Sequence, residues 1–229
     1  MKKLLLVAGM LGVMAGANAA TFGQTDTFED GTTQGWIVGL LGAPHPAPPV
    51  NVPDGGPDGA GDNYLLLTAV GGGGPGNRLS AINPSAQWAG DYTSGGITTI
   101  AMDVNNFGNS DLALRLLFAD PLSGPPNNLA FSSEAVAVPA GSGWISILFP
   151  ITAESLTAGL GSVDTALANA TEVRIFHSAV DTFPGEPIVT QLGIDNIQAT
   201  AATAVPEGSS TIVLLSCGLL SMAMCNRRR

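Results

Sequence analysis

A series of short apolar stretches, each five to eleven residues long, runs along this chain and constrains its fold more than any other feature. Turns rich in glycine and proline separate the stretches. In ITTIAMDV, Ile100, Met102 and Val104 fall on one face, and Thr99 and Asp103 fall on the other. This alternation is typical of a strand with one buried face. The stretches that predict strands are 64–70, 97–104, 112–119, 134–138, 144–149, 172–178 and 189–199.

These strands predict an all-β fold, a β-sandwich or jelly roll that occupies residues 20–204 as one domain. In LALRLLFA the apolar residues alternate in the same way, and Arg115 is the only charge on the opposite face. Residues 153–170 carry a helical pattern with two interior glycines, which predicts one short helix or two helical turns. Residues 42–63 are rich in proline and glycine and predict a loop rather than a central strand.

The first 19 residues have the three-part layout of a secretory signal peptide. Lys2 and Lys3 provide a basic start, an apolar stretch follows, and the small residues Ala17 and Ala19 flank Asn18. The alternative is a buried N-terminal helix. We therefore expect an exported protein whose N-terminal signal helix is removed after Ala19.

Residues 20–204 are strongly acidic, with 17 of the 18 Asp and Glu of the chain, no lysine and only three arginines. Nucleic acid is excluded as a partner, because phosphate binding requires clustered Lys and Arg. The acidity favours cations or uncharged ligands, or it only keeps an exported protein soluble. Neither cysteine lies in this domain, so no disulfide stabilises it.

Acidic residues lie near both ends of the predicted domain. The segment DTFEDGTTQGW contains Glu29 and Asp30, and the last predicted strand contains Asp195. The first and last strands of a jelly roll are often neighbours, so these carboxylates can meet. Asp62, in a glycine-rich loop, can complete an oxygen shell for Ca²⁺. The alternative is that these residues make Asx-type hydrogen bonds at turns and strand ends.

Aromatic residues decide whether the domain can bind sugars, since a sugar-binding platform needs exposed rings. Trp36 and Trp144 precede apolar residues and are predicted to lie in the core or at its edge. Trp88 and Tyr92 lie in the polar stretch PSAQWAGDYTSGG and are the candidates for a carbohydrate-binding platform.

No residue is predicted to be catalytic. The sequence has no His-Glu-x-x-His or Gly-x-Ser-x-Gly motif, and its two histidines lack metal-ligand spacing. His177, at a strand end, is predicted to be a hydrogen-bonded strand residue rather than a base. We therefore expect a non-catalytic protein. A glycosidase with paired carboxylates remains an open alternative.

The C-terminal tail has three parts in a fixed order: Val205, Pro206, Glu207 and Gly208, then a hydrophobic helix over 211–225, then Arg227, Arg228 and Arg229. This tail resembles the PEP-CTERM sorting signal of exported Gram-negative proteins, in a Val-Pro-Glu-Gly-Ser subtype. The resemblance implies that residues 205–229 pause in the membrane, with the arginines cytoplasmic, and are processed by an exosortase-type enzyme. The alternative is a plain tail anchor.

The two ends of the domain also resemble a known class. FEDGTTQGW and LGIDNIQA are similar to the first and last strands of jelly-roll domains such as carbohydrate-binding modules. A structural calcium often bridges the termini of such domains. The resemblance therefore implies Glu29 and Asp195 as calcium ligands, with Gly31 and Asp62 as further positions.

These expectations favour a non-catalytic protein of the cell envelope or extracellular matrix of a Gram-negative bacterium, associated with exopolysaccharide. The alternatives are a carbohydrate-binding module, or a secreted polysaccharide hydrolase or lyase.

Overall fold

A computed structural model describes residues 20–39, 45–120 and 126–201. Within these ranges the chain forms a sandwich of two antiparallel sheets with one short helix, α1, at Val163–Ala168. The predicted all-β sandwich is confirmed. The signal helix and the C-terminal helix lie outside the described residues. The strands are β1 Thr25–Asp26, β2 Val50–Val52, β3 Tyr64–Val70, β4 Ser80–Asn83, β5 Thr99–Asn106, β6 Leu112–Asp120, β7 Asn128–Ser132, β8 Val136–Val138, β9 Trp144–Pro150, β10 Leu156–Leu160, β11 Glu172–His177 and β12 Val189–Thr200.

The first sheet, called sheet one, has the strand order β2-β3-β12-β5-β9. The last strand, β12, is central, and β1 pairs with its C-terminal half. The N-terminal and C-terminal strands are therefore neighbours, as the sequence predicts. In β12, Asp195 stands opposite Asp103 of β5. An irregularity in the register follows between Asp195 and Gln198, where Asn196 has a positive φ of 50°.

The second sheet, sheet two, has the strand order β10-β7-β6-β11-β4, and β8 extends it by pairing with the start of β6. The core lies between the two sheets, and the apolar residues predicted to face it do so. Ile100, Met102 and Val104 of β5 are buried there, as are Leu114 and Phe118 of β6.

A second, smaller apolar cluster lies on the outer face of sheet two. Leu117, Ala119, Leu129, Phe131 and Phe176 form it, and Phe183 packs against it. The residues that alternate with the core positions of β6 are therefore buried as well, and Arg115 among them is only 5% exposed. The segment that contains Phe183 covers this face. The alternation of residues within one strand does not reveal such a cover.

The predicted helix over 153–170 is wrong in its first half. Residues 156–160 form strand β10, which pairs with β7, and only Val163–Ala168 is helical. Gly159 lies at an irregularity in the register between Ala158 and Leu160, where a Cβ would lie only 2.7 Å from Leu129 Cδ2, so the close approach of the two strands requires glycine. Ser162 then caps the helix, accepting a 3.2 Å hydrogen bond from the Thr165 amide.

Candidate functional site

The outer face of sheet two combines polar and aromatic side chains that are largely shielded from water. Arg174 of β11 stands between Ile82 of β4 and Leu117 of β6. Two residues further along the same strand, Phe176 stands between Ser80 and Arg115. Since residues opposite each other in a sheet share a face, these side chains form one surface.

Phe183 lies over this surface and divides it. Its ring makes an edge contact with Phe176 at 5.5 Å between centroids, and the Arg174 guanidinium lies 5.0 Å from its centroid. A cavity of about 310 Å³ opens on the β4 side of Phe183, and another of about 360 Å³ opens on the β10 side. We call these the first and second cavities. Ser80, Arg174 and Arg78 line the first cavity, and Phe131, Thr157 and Asp181 line the second.

The first cavity contains buried polar atoms with unused hydrogen-bonding capacity. Arg174 donates from Nη2 to Glu172 Oε1 at 2.7 Å, but its Nε has no hydrogen-bond partner among the described residues. Ser80 Oγ is likewise buried without one. Such groups are rare in folded proteins, because each costs about 1–3 kcal/mol when buried unpaired. These two unpaired atoms make the first cavity the candidate site on this face.

Arg115 has a different role, because its guanidinium holds chain segments together. Nη1 donates to the carbonyl oxygens of Ser132 at 2.6 Å and Ser133 at 2.7 Å, and Nε donates to that of Ser178 at 3.1 Å. An ion pair of 3.2 Å joins it to Asp181. This buried arginine therefore anchors the segment that carries Phe183.

His177 is a hydrogen-bonded strand residue, as the sequence predicts. Its Nδ1 accepts a 3.0 Å hydrogen bond from the Ala113 amide, and its Nε2 lies 3.5 Å from Glu186 Oε1. Burial lowers the pKa of His177, and the charge of Glu186 opposes that shift.

The predicted calcium residues Glu29, Asp62 and Asp195 come together on the outer face of sheet one. Asp195 is 1% exposed, and its Oδ1 has no hydrogen-bond partner among the described residues. Burial raises the pKa of the Asp195 carboxyl to about 7, and the charges of Asp62, Asp103 and Glu29 add to this shift. Glu29 Oε1 accepts a 2.8 Å hydrogen bond from the Asn63 amide.

Carboxylate oxygens are the donors that a hard cation such as Ca²⁺ prefers. Gly31, the weakest of the predicted ligands, lies in a turn with φ of 74°, where its amide donates to the Phe28 carbonyl at 3.0 Å. In the described part of the chain, no three His, Cys, Asp or Glu side chains are placed closely enough to hold a metal by themselves. A bound cation would therefore also need backbone or amide oxygens as ligands.

The prediction that Trp88 and Tyr92 form an exposed platform is wrong. They are 1% and 0% exposed, respectively. Trp88 donates its indole N–H to Asp26 Oδ2 at 2.7 Å, and the Tyr92 hydroxyl donates to the Trp88 carbonyl at 2.7 Å. The Tyr92 ring also packs edge-on against Phe118 at 4.8 Å. Both rings belong to the core, although polar residues surround them in the sequence.

The other two tryptophans, Trp36 and Trp144, were predicted to lie in the core or at its edge, and the structure agrees with this prediction only in part. Trp36 is buried, and its indole N–H donates to Asp26 Oδ2 at 2.8 Å. Trp144 is half-buried on the outer face of sheet one, where its indole N–H donates to the Gly55 carbonyl at 2.9 Å.

The sorting residues Val205, Pro206, Glu207, Gly208, Arg227, Arg228 and Arg229 lie outside the described residues. Of the helical residues that the structure does describe, none belong to a segment long and apolar enough to span a membrane.

Sequence reasoning missed the residues at the first cavity. Phe183 follows an irregular segment, and Ser80 begins a short strand that the apolar pattern does not mark. A signal for Arg78 and Arg174 was present, since they are two of only three basic residues in the acidic domain. Their meeting at one cavity depends on strand pairing between β4 and β11.

Comparison with solved structures identifies the same sandwich. An exo-β-agarase matches 82% of this chain at 11% identity with a TM-score of 0.56, and this chain spans only 26% of that enzyme. CtCBM11 matches 81% of this chain and 99% of its own length, at 16% identity and a TM-score of 0.50. A family 11 carbohydrate-binding module from Clostridium thermocellum, in complex with a β-1,3-1,4-mixed-linked tetrasaccharide, matches 80% of this chain and 98% of its own, at 14% identity and a TM-score of 0.49.

These likenesses show the fold alone. No protein-family model matches the sequence, and no curated protein matches it. What the solved structures show for this chain is its fold, a two-sheet sandwich of the type found in carbohydrate-binding modules.

Proposed function

We propose that this chain is an exported, non-catalytic protein that binds polysaccharide through the outer face of sheet two. The observation that carries the proposal is the first cavity, where Ser80 Oγ and Arg174 Nε lie buried beside Phe183 without a hydrogen-bond partner in the described part of the chain. A sugar ring presents C–H groups on its faces and hydroxyls at its edges. It therefore needs an aromatic surface together with a few fixed polar groups, and the cavity provides both.

The carboxylates around the two cavities support a binding role over a hydrolytic one. Glu172 is held by Arg174 at 2.7 Å, and Asp181 is held by Arg115 at 3.2 Å. An acid–base pair would need two carboxyl groups free to exchange protons with substrate across a glycosidic bond. Here both carboxylates neutralise arginines that help to build the surface.

Phe183→Ala is expected to weaken polysaccharide binding about tenfold, because it removes the apolar surface on which a sugar ring would pack. The measurement is retardation of the purified protein in native gels that contain soluble polysaccharides. Phe107→Ala is the matched control, since Phe107 is 44% exposed on sheet one, near Tyr64 and Trp144. Equal loss in both variants, or no loss in the Phe183 variant, would contradict the proposal.

Export and sorting form a separate part of the proposal, supported by the two termini of the sequence. In a host with exosortase-type processing, we expect the mature protein to lack residues 1–19 and everything after about Glu207. Intact-mass measurement and terminal sequencing check this. A retained C-terminus in the membrane fraction would indicate a plain tail anchor instead.

Calcium binding at the cluster of Glu29, Asp62 and Asp195 is also part of the proposal. Its support is Asp195 Oδ1, which has no hydrogen-bond partner within the described ranges and is buried among negative charges that a divalent cation would neutralise. The cation would fasten the loop that ends at Asp62 and the N-terminal segment to the central strand β12.

A further inference from the structure

The domain's few basic residues are gathered on one face. Between residues 20 and 204 there are three arginines against 17 acidic residues. Arg115 and Arg174 lie on the outer face of sheet two, and Arg78, two residues before β4, lines the first cavity. An arrangement that only kept the protein soluble would not require the positive charges to converge in this way.

The lining of the first cavity is positive rather than acidic. It includes Arg78 and Arg174 but no Asp or Glu among the described residues. Arg78 donates from Nε to the Gly185 carbonyl at 2.6 Å and from Nη1 to Asn77 Oδ1 at 3.4 Å, so its guanidinium is fixed in place. No described carboxylate lies within ion-pair distance of Arg78, unlike Arg115 and Arg174.

The second cavity differs in charge. Asp181 lines it, and that carboxylate is half exposed while it pairs with Arg115. An anionic group is therefore favoured on the β4 side of Phe183 and disfavoured on the β10 side. The two cavities on either side of Phe183 therefore differ in the charge of the group that they favour.

From these observations we propose that the first cavity binds the carboxylate of a uronic acid unit, so that the preferred ligand is an acidic polysaccharide. A carboxylate matches the forked N–H donors of arginine, and one placed near Arg78 would meet a charge that the described protein leaves unpaired. Ser80 Oγ and Arg174 Nε can then serve the hydroxyls of the same sugar. This inference rests on the proposed polysaccharide binding and names its ligand class.

The overall acidity of the domain does not prevent such binding. Charges on exposed groups are screened over about 10 Å at 0.1 M salt, so the local arginines dominate at the cavity. Of the nearest carboxylates, Glu172 is held by Arg174. Glu186 accepts hydrogen bonds from the Ala179 amide at 2.7 Å and from Ser178 Oγ at 3.4 Å.

The test compares ligands that differ only in this carboxylate. Protein expressed from the full-length sequence is titrated calorimetrically with 1,4-linked hexamers of glucose, mannose and galactose, and with the C6-oxidised form of each. We expect at least one oxidised hexamer to bind more tightly than its neutral partner by about tenfold. Arg78→Gln should remove that preference, so that the oxidised and neutral hexamers bind this variant with equal affinity.

Gln191→Glu is the matched control, because it changes the net charge by the same amount on the exposed outer face of sheet one. It should leave the preference intact. If neutral hexamers bind as well as oxidised ones, or if both variants weaken uronate binding equally, the inference fails while polysaccharide binding stands. If no hexamer binds, the proposed function and the inference both fail.

Discussion

Asp26→Ala is expected to lower the midpoint of thermal unfolding by about 10 °C, as a loss of about 3 kcal/mol would do in a domain of this size. The carboxylate of Asp26 is 1% exposed and joins two segments of the core. Its Oδ2 accepts the indole N–H groups of both Trp36, at 2.8 Å, and Trp88, at 2.7 Å. Alanine would leave both donors buried without an acceptor.

Asp26→Asn separates the hydrogen bonds from the charge. Burial raises the pKa of Asp26, so the folded protein resists its ionisation. Asparagine keeps an acceptor oxygen without the charge, and it should therefore unfold within a few degrees of the natural protein. Circular dichroism during heating measures both variants. Similar losses in the two would mean that the charge, rather than the pair of acceptor bonds, stabilises the core.

Asp26 also illustrates what the sequence could not reveal. The polar stretch around Trp88 and Tyr92 indicates exposure, yet both rings are buried because a carboxylate 62 residues away from Trp88 accepts its indole proton. A buried acceptor for tryptophan leaves no local pattern, since neither residue type nor spacing specifies it. The hydrophobicity of neighbours is therefore a poor guide to the exposure of a tryptophan.

Strands with strong alternation were predictable to within two residues. The predicted strand at 64–70 matches β3, and those at 112–119 and 144–149 each end one residue before β6 and β9. Short strands such as β4 and β7, of four and five residues, were missed because so few residues establish no clear alternation. The error at β10 has a similar origin, because ESLTAGL has helical spacing alone but becomes a strand through pairing with β7.

The candidate calcium cluster was predictable because it depends on topology rather than on local pattern. Placing the first and last strands side by side brings Glu29 towards Asp195, and β1 does pair with β12. The residues of the first cavity were not predictable, since that cavity depends on Phe183 crossing over a sheet whose outer face looks solvent-exposed in sequence.

Calcium is expected to raise the unfolding midpoint of the natural protein at pH 7.5 but not that of Asp195→Asn. At a concentration about 100-fold above the dissociation constant, binding adds about 2.7 kcal/mol. In a domain of this size that corresponds to about 8 °C. Asparagine keeps the shape of the side chain but loses the charge that attracts the cation.

Without calcium, the Asp195→Asn variant should be more stable than the natural protein, and this follows from the direction in which the pKa of Asp195 is shifted. Burial raises the pKa of Asp195 to about 7, above the value of 3.8 that it has when unfolded. The folded state therefore holds this proton more tightly, so the contribution of Asp195 to stability is most favourable below about pH 4 and declines as the pH rises towards 7. Asp195→Asn removes that fall, so in chelator at pH 7.5 it should be the more stable protein.

Thermal unfolding in chelator, in Ca²⁺ and in Mg²⁺ at equal ionic strength distinguishes binding from general screening. Asp181→Asn, on the other sheet, is the matched control, and it should keep the response to calcium. An equal shift in both variants would show that calcium acts elsewhere, and no shift in the natural protein would remove the cation from the proposal. A shift confined to proteins with Asp195 would mean that calcium binds at this carboxylate. The buried charge of Asp195 destabilises the fold when no cation is bound, and with a bound cation it helps to hold β12 and the N-terminal segment together.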